Sequence, residues 1–172
     1  MGSWIVRQIG PDAANELARL WAETFRQAYS SVHSRSNIEA YCTGNYSAER
    51  ALDALSDPGQ VCKFAYRDDV PTGLYILKDH ACPIALQGKS MELKQLYVLA
   101  SEFGSGLGHV LMDDAVDAAR ASGAGHLWLA VADTNHRAQA FYLKHGLARI
   151  GSGPTFDVGT DRLTSTILAR SI

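Results

Sequence analysis

One segment constrains the fold of this chain more than any other: an apolar strand that runs into three alternating glycines and then into a helix. The strand ends at residues 96–98, and the glycines are Gly104, Gly106 and Gly108. Glycines at this spacing let the backbone turn tightly and direct several N–H groups toward one point. The first turn of the following helix adds unpaired N–H groups and the positive end of the helix dipole. The segment therefore predicts a cradle for a phosphate or a diphosphate.

Other phosphate-binding loops match this chain less well. A dinucleotide-binding fold requires G-x-G-x-x-G, but His109 stands where the third glycine belongs. A P-loop requires G-x-x-x-x-G-K-S. Residues 88–90 supply its end, yet Pro83 occupies its first position and a strand pattern follows. A plain glycine-rich turn stays open as an alternative for residues 104–108.

Hydrophobic periodicity predicts the remaining elements. Residues 4–9 read as a strand, and Asp12 is predicted to cap the helix that follows. The other predicted helices cover two segments within residues 36–55, residues 107–122 and residues 135–145, and the other predicted strands cover residues 61–66, 72–77, 91–98, 126–132, 148–158 and 163–169. The order β-α-α-α-β-β-β-α-β-α-β-β indicates an α/β fold in one domain over residues 1–172. It consists of a mixed central sheet of about seven strands with helices on both faces.

Two motifs in this order resemble the GNAT acyltransferase superfamily. The family's diphosphate loop reads Q/R-x-x-G-x-G/A after a strand that ends in a form such as L-Y-V, and the match here is Phe103-Gly104-Ser105-Gly106-Leu107-Gly108 after Leu96-Tyr97-Val98. Phe103 stands where the family usually carries Gln or Arg. Residues 135–147 are similar to the family segment N-x-x-A-x-x-F/Y-Y-x-K-x-G-F, with Leu147 in place of Phe. The resemblance implies a GNAT-like three-layer fold and an N-acetyltransferase that uses acetyl-CoA as cosubstrate and no metal.

The resemblance also implies roles for individual residues. Tyr142 is the predicted general acid beside the cofactor sulfur, and a core aromatic residue is the alternative. Leu96, Tyr97 and Val98 are predicted cofactor contacts, and the backbone of residues 97–99 is predicted to pair with the pantetheine arm of the cofactor. Asn135 and Lys144 are further predicted contacts, although an N-cap explains Asn135 equally well and a solvated position explains Lys144. The remaining predicted cofactor contacts are those of the loop: Phe103, Gly104, Ser105, Gly106, Leu107, Gly108 and His109.

Glu92 is the predicted general base, acting through a water molecule. An alkyl ammonium has a pKa of about 10, so its deprotonation needs a nearby proton acceptor. Strict alternation along residues 91–98 places Glu92 on the same face of the strand as Leu96 and Val98. A solvated or ion-paired strand carboxylate is the alternative for Glu92.

Composition and charge limit the classes of partner that this chain is expected to bind. It has 16 Lys and Arg against 18 Asp and Glu, a net charge of −2, which argues against nucleic-acid binding. No apolar stretch approaches the roughly 20 residues of a membrane helix, and no signal peptide is visible, so a cytoplasmic protein is predicted. The 6 histidines and 3 cysteines show no metal-ligand spacing.

The predicted acceptor is a primary amine of a small molecule or of a polyamine. Residues 37–41 and 156–161 are similar to the branch that contains bacterial polyamine (spermidine/spermine) acetyltransferases. The resemblance implies direct attack of the amine within a ternary complex. A homodimer is common among similar proteins, although nothing in this sequence demands one. The alternative function is a noncatalytic acyl-CoA-binding or regulatory module, to which the departure at Phe103 points.

Overall fold

A computed structural model describes residues 3–172. The α-helices in this range are α1 (Ala14–Tyr29), α2 (Arg35–Asn45), α3 (Ala48–Ser56), α4 (Leu107–Ala121) and α5 (His136–Lys144). The β-strands in the same range are β1 (Ile5–Gln8), β2 (Gln60–Arg67), β3 (Val70–Lys78), β4 (Ser90–Val98), β5 (His126–Ala132), β6 (Ala148–Ser152), β7 (Phe156–Val158), β8 (Asp161–Leu163) and β9 (Ser165–Ser171). Short 3-10 turns lie at Pro11–Ala13 and Ala100–Glu102. Within residues 3–172, no helix combines the length and the hydropathy needed to cross a bilayer.

Most of the strands join one central sheet. Seven strands lie in the order β1-β2-β3-β4-β5-β9-β6. The neighbouring pairs are antiparallel except β4 and β5, which are parallel and are connected by the crossover helix α4. The short strands β7 and β8 form a separate antiparallel hairpin. The predicted mixed sheet of about seven strands is therefore confirmed.

Helices cover both faces of the sheet, which confirms the predicted three layers. Along β3, Leu74 and Ile76 belong to the core formed with α1, α2 and α3. The alternate residues Tyr75 and Leu77 belong to the core formed with α4 and α5. All four side chains are fully buried, as expected for a strand that is covered on both faces. We call these two surfaces of the sheet the α1 face and the α4 face.

The predicted start of the first helix is wrong. Asp12 lies exposed in the 3-10 turn Pro11–Ala13 and does not cap α1. Ala13 is the N-cap of α1, and it makes no side-chain hydrogen bond there. Pro11 has a fixed φ and no N–H group, so it begins a tight turn before the α-helix starts.

The predicted strand over residues 148–158 is also wrong, because it is interrupted. β6 ends at Ser152, and β7 begins at Phe156 in the separate hairpin. Pro154 lies between them and has no N–H group to continue the ladder. Ser165 of β9 hydrogen-bonds the interrupted segment. The N–H of Gly153 donates to the carbonyl of Ser165 at 2.8 Å, and the hydroxyl of Ser165 donates to the carbonyl of Pro154 at 2.6 Å.

Candidate active site

The parallel strands β4 and β5 separate and leave a gap in the middle of the sheet. They pair only where Ser90, Met91 and Glu92 meet residues 126–128 of β5. Beyond these positions β4 stays paired with β3, and β5 stays paired with β9. The facing edges at residues 93–98 and 129–132 therefore have unpaired backbone groups, which need other hydrogen-bond partners.

Backbone geometry decides which groups of β4 face this gap. The N–H of Leu99 donates to the carbonyl of Thr72 at 2.9 Å, so the polar backbone groups of Leu99 point toward β3. Successive residues of a strand direct these groups to opposite edges. Leu96 and Val98 therefore present their N–H and C=O groups to the gap, whereas those of Tyr97 point toward β3. Of the predicted pantetheine segment 97–99, only Val98 offers backbone partners to the gap, because Tyr97 and Leu99 point toward β3.

A β-bulge at Lys94 overturns the predicted orientation of Glu92. Two adjacent residues of β3 are paired with positions 93 and 95 of β4, so Lys94 has no partner. An extra residue reverses the alternation of side chains. Leu96 and Val98 pack into the core on the α4 face, while Glu92 lies on the α1 face with Tyr97. The prediction that Glu92 shares a face with Leu96 and Val98 is wrong, because alternation assumed no extra residue.

Glu92 lies at the point where the gap begins. Its backbone is the last of β4 to pair with β5, opposite Trp128. Its carboxylate Oε2 is 2.8 Å from Nδ1 of His80, and its side chain is 18% exposed. Trp128 donates from Nε1 to the carbonyl of His80 at 2.9 Å and so holds this loop in place. The result is a fixed, partly solvated carboxylate at the closed end of the gap.

The glycine loop presents free N–H groups at the start of α4. Gly104 and Gly106 have φ values of 77° and 97°, which favour glycine, and Gly106 is the N-cap of α4. Ser105 donates its hydroxyl to the carbonyl of Glu102 at 2.7 Å and accepts from the N–H of Leu107 at 3.2 Å. No acceptor within residues 3–172 takes the N–H of Gly104, Gly106 or Gly108. Three unpaired donors at a helix N-terminus fit an anionic group.

The carboxylate of Glu102, which precedes this loop in the chain, is held in an ion pair. Glu102 is 5% exposed, and Arg67 donates to both of its oxygens at 2.7 and 2.9 Å. This hydrogen-bonded ion pair lowers the pKa of Glu102. Arg67 in turn stacks over Trp4 with 4.9 Å from its guanidinium carbon to the ring centroid. The loop is therefore anchored to the sheet without an unpaired negative charge.

Helix α5 packs against the first turn of α4. A Cβ on Gly108 would lie 3.2 Å from the ring of Phe141, so this position admits no larger residue without movement. Nδ1 of His109 is 2.8 Å from Nε2 of His145, and burial and the neighbouring His109 lower the pKa of His145. No third His, Cys, Asp or Glu within residues 3–172 completes a metal site here. Lys144 lies exposed in the last turn of α5 and forms no ion pair with the described residues.

Tyr142 lies on the buried side of α5 and has a free hydroxyl. The residue is 9% exposed, and its ring meets Phe141 edge-on at 5.4 Å. No residue from 3 to 172 hydrogen-bonds its hydroxyl. Burial raises the pKa of Tyr142, and the phenol of Tyr29 adds to this effect. Burial raises the pKa of Tyr97 in the same way, with further contributions from nearby phenols that include Tyr142, so these hydroxyls stay protonated at neutral pH.

Asn135 has both of its side-chain groups occupied. Its Oδ1 accepts from the N–H of Ala138 at 3.1 Å, which confirms the N-cap interpretation. Its Nδ2 donates to the hydroxyl of Tyr29 at 3.0 Å. Asn135 therefore connects the start of α5 to the end of α1, and its predicted contact with the cofactor stays a prediction.

Sequence reasoning missed an aromatic cluster beside Tyr97 on the α1 face. Phe25 stacks on Tyr41 with 4.4 Å between ring centroids and an interplanar angle of 9°. Tyr29 and Tyr46 contact the same Phe25 ring at 4.6 and 5.7 Å. The helical spacing of these residues reads as ordinary core, and nothing in the sequence distinguishes them from it. They pack in the core on the α1 face together with Tyr97 of β4.

Sequence reasoning also missed two side chains at the edges of the site. Arg137, in the first turn of α5, places its guanidinium carbon 3.7 Å from the ring centroid of Phe103. His33, in the connection between α1 and α2, lies with Nδ1 2.7 Å from Oδ2 of Asp161 in the β7–β8 hairpin. Both contacts join segments that are far apart in the sequence, so no local sequence pattern predicts them.

Known proteins with similar sequences and folds agree with this arrangement. The model of the family described as "Acetyltransferase (GNAT) family" matches residues 15–147. An uncharacterized N-acetyltransferase of Mycobacterium tuberculosis is 30% identical over 159 residues, which cover 92% of this chain and 97% of that protein. The streptothricin acetyltransferase of Streptomyces lavendulae is 39% identical over 70 residues, which cover 41% of this chain and 37% of that protein. The crystal structure of paia N-acetyltransferase from Thermoplasma acidophilum in complex with coenzyme A has a TM-score of 0.80 at 21% identity and covers 99% of both chains.

These similarities extend over the parts of the chain that build the site. The family match contains the gap between β4 and β5, the glycine loop and α5. The mycobacterial relative extends the similarity to nearly the whole chain. The chain therefore belongs to the GNAT family and is an acetyl-CoA-dependent N-acetyltransferase.

Proposed function

We propose that this enzyme acetylates the primary amine of a small molecule, and that the amine attacks acetyl-CoA directly within a ternary complex. The observation that carries the proposal is the set of three unpaired N–H groups at the start of α4, next to a gap in the sheet. In this arrangement the donors of Gly104, Gly106 and Gly108 hold the diphosphate. Leu96 and Val98 offer backbone partners to the pantetheine arm. Acetyl-CoA supplies the acetyl group as a thioester.

Tyr142 acts as the general acid in this proposal. As the carbon–nitrogen bond forms and the carbon–sulfur bond breaks, its hydroxyl gives a proton to the leaving sulfur. A general acid must be protonated beforehand, and burial ensures this by raising the pKa of Tyr142. Its free hydroxyl supports the assignment, because no internal hydrogen bond has to break first.

Glu92 accepts the proton that the attacking amine loses, through a water molecule. Its position on the α1 face supports this role, because α1, α2 and the β7–β8 hairpin, where the acceptor is expected to bind, pack on that face. His80 orients the carboxylate through the 2.8 Å contact. The ammonium gives one proton to Glu92 before the attack, and a second proton leaves the nitrogen as the tetrahedral intermediate collapses. That second proton balances the one that Tyr142 gives to the sulfur, so the transfer releases a neutral amide and a thiol.

The acceptor is expected to bind among the aromatic residues of α1 and α2. Residues 37–41 and 156–161, which resemble the polyamine acetyltransferase branch, contact each other: the N–H of Thr160 donates to Oδ1 of Asn37 at 3.1 Å. This contact supports polyamines as candidate acceptors. Glu39 of the same segment is bound by Arg26 through two hydrogen bonds of 2.7 and 2.9 Å, so its charge is already paired. The similarity to streptothricin acetyltransferase adds amine-bearing antibiotics to the candidates.

Calorimetry and a thiol-release assay test this function in two steps. Titration with coenzyme A should give saturable binding, and the absence of heat or saturation at high protein concentration would refute the proposal. Thiol release from acetyl-CoA is then measured with polyamines, amino acids, antibiotic amines and peptides. Release that depends on one class of small amine identifies the acceptor. Binding of coenzyme A without release by any amine would instead favour the noncatalytic acyl-CoA-binding module.

A further inference from the structure

Phe103 and Arg137 form a contact that changes how the glycine loop holds phosphate. Phe103 precedes Gly104 at the position where GNAT sequences usually carry Gln or Arg, and it is 38% exposed. The guanidinium of Arg137 lies over its ring at 3.7 Å from the centroid. The stacking therefore brings a cation from α5 to the loop position that lacks its usual polar side chain.

Arg137 is solvent-exposed and is free to bind an anion. No carboxylate within residues 3–172 forms an ion pair with it. Glu102, next to Phe103 in the chain, is already bound to Arg67. Arg137 also lies in the first turn of α5, where the helix dipole disfavours a cation.

The stacked orientation leaves Arg137 able to bind an anion. A guanidinium that contacts an aromatic ring uses its flat face, whereas its N–H donors point outward along its edge. Those donors match the oxygens of a phosphate group better than the point charge of a lysine does. The adjacent donors are the free N–H groups of Gly104 and Gly106, which follow Phe103 in the chain. The two sets of donors lie at one end of the gap.

We propose that Arg137, held in place by Phe103, binds the diphosphate of coenzyme A together with the glycine loop. This inference rests on the proposed cofactor site. It makes Phe103 a positioning residue and explains how the loop functions without Gln or Arg at that position. It also removes the observation that pointed to a noncatalytic module.

The dissociation constant of coenzyme A tests this proposal without any turnover. Arg137→Gln should raise it about tenfold, since a charge-assisted hydrogen bond is lost, and this loss should shrink as salt is added. Arg137→Lys keeps the charge but not the flat face, so about a threefold increase is expected. Phe103→Leu should also cost about threefold, and combining it with Arg137→Gln should add nothing, because the ring acts through Arg137. Arg120→Gln, at the far end of α4, is the matched control and should change the constant less than twofold.

Three outcomes would overturn the proposal. One is a dissociation constant for Arg137→Gln within twofold of the wild type. Another is a tenfold loss that vanishes with 3′-dephospho-coenzyme A, because Arg137 would then contact the 3′-phosphate. The third is additive effects of Phe103→Leu and Arg137→Gln. If the wild type itself does not bind coenzyme A, the proposed function fails; if it binds and Arg137→Gln binds equally well, only this inference fails.

Discussion

The two sides of the gap between β4 and β5 are built in different ways. On the loop side, the donors are backbone N–H groups of three glycines within residues 104–108. On the hairpin side, side chains tie the α1–α2 connection to β7 and β8. Nδ1 of His33 lies 2.7 Å from Asp161, and the N–H of Thr160 donates to Asn37. These partners are 128 and 123 residues apart in the sequence.

Because the two sides are built differently, we expect them to respond differently to substitutions. A backbone donor depends on φ and ψ, so a substitution acts on the loop side by changing the conformation of the chain. A side-chain contact between distant segments depends on the identity of both partners and can change without moving the backbone. We therefore expect cofactor binding to respond to backbone changes in the loop, and acceptor binding to respond to side-chain changes around the hairpin.

The largest expected effect lies between the two sides, at Tyr142. Tyr142→Phe should lower kcat about 100-fold, because the leaving sulfur loses its proton donor, while the dissociation constant of coenzyme A stays within twofold. Steady-state kinetics and calorimetry measure these two quantities. Tyr66→Phe on β2 is the matched control and should leave both unchanged. Because burial raises the pKa of Tyr142, the wild-type kcat should not fall through its ionisation up to about pH 9. An unaltered kcat for Tyr142→Phe would exclude Tyr142 as the acid.

Gly106→Ala should give the next largest effect, and it tests the contribution of the backbone conformation on the loop side. The new Cβ would meet nothing within 4 Å, so the change acts through the φ of 97° alone. Left-handed backbone costs an L-residue about 1–2 kcal/mol, and moving the N-cap of α4 misaligns the free N–H groups. The dissociation constant of coenzyme A should rise about 30-fold by calorimetry. Gly44→Ala, inside α2 where a Cβ also meets nothing, should have no effect. Equal binding by both variants would refute the cradle.

Glu92→Gln should produce a smaller effect that depends on pH. The acceptor amine is mostly protonated at low pH, so the loss of a base should lower kcat/KM about tenfold at pH 6 and less at pH 9. A pH series of kcat/KM for the wild type and the variant measures this trend. Glu49→Gln on α3 removes an exposed carboxylate far from the gap and serves as the control. A ratio that is constant with pH would remove Glu92 from the mechanism.

Asp161→Asn should have the smallest effect and should act only on the hairpin side. The hydrogen bond with His33 lowers the pKa of Asp161, with a further contribution from Asn37. A lowered pKa stabilises the fold above the unfolded value of about 3.9, and that stabilisation is lost as the pH falls through the lower, folded-state value. The stability difference between wild type and variant should therefore be present at pH 7 and decline below about pH 4 in denaturant titrations.

The same variant also tests acceptor binding. Asp161→Asn should raise the KM of the acceptor a few-fold and leave the dissociation constant of coenzyme A unchanged. Asp157→Asn is the matched control, because Asp157 is paired only within the hairpin, with Arg162 at 2.9 Å. A change in coenzyme A binding by Asp161→Asn would show that the two sides are not independent.

The predictable part of the site is the part encoded by local pattern. The glycine loop, the strand before it and the helix after it appear in the structure where periodicity and glycine spacing placed them. Glu92 shows where such reasoning stops: the bulge at Lys94 reverses its face, and the extra residue has no signal in the alternation of residues 91–98. Arg137 and Phe103 show the same limit, since their contact joins positions that are 34 residues apart, before α4 and at the start of α5. The single domain, the cytoplasmic location and the homodimer stay predictions.

From the residues alone follow the GNAT family, the order of strands and helices, and the backbone donors at the start of α4. The order of the elements and the backbone donors depend on periodicity and on the φ preferences of glycine, which act over a few neighbouring residues, whereas the family follows from the resemblance of two motifs. The folded chain was needed for the face of Glu92, the aromatic cluster around Phe25, the His33–Asp161 contact and the cation over Phe103. Each of these depends on the register between strands or on the packing of distant segments, and such long-range contacts leave no periodic trace in the chain that forms them.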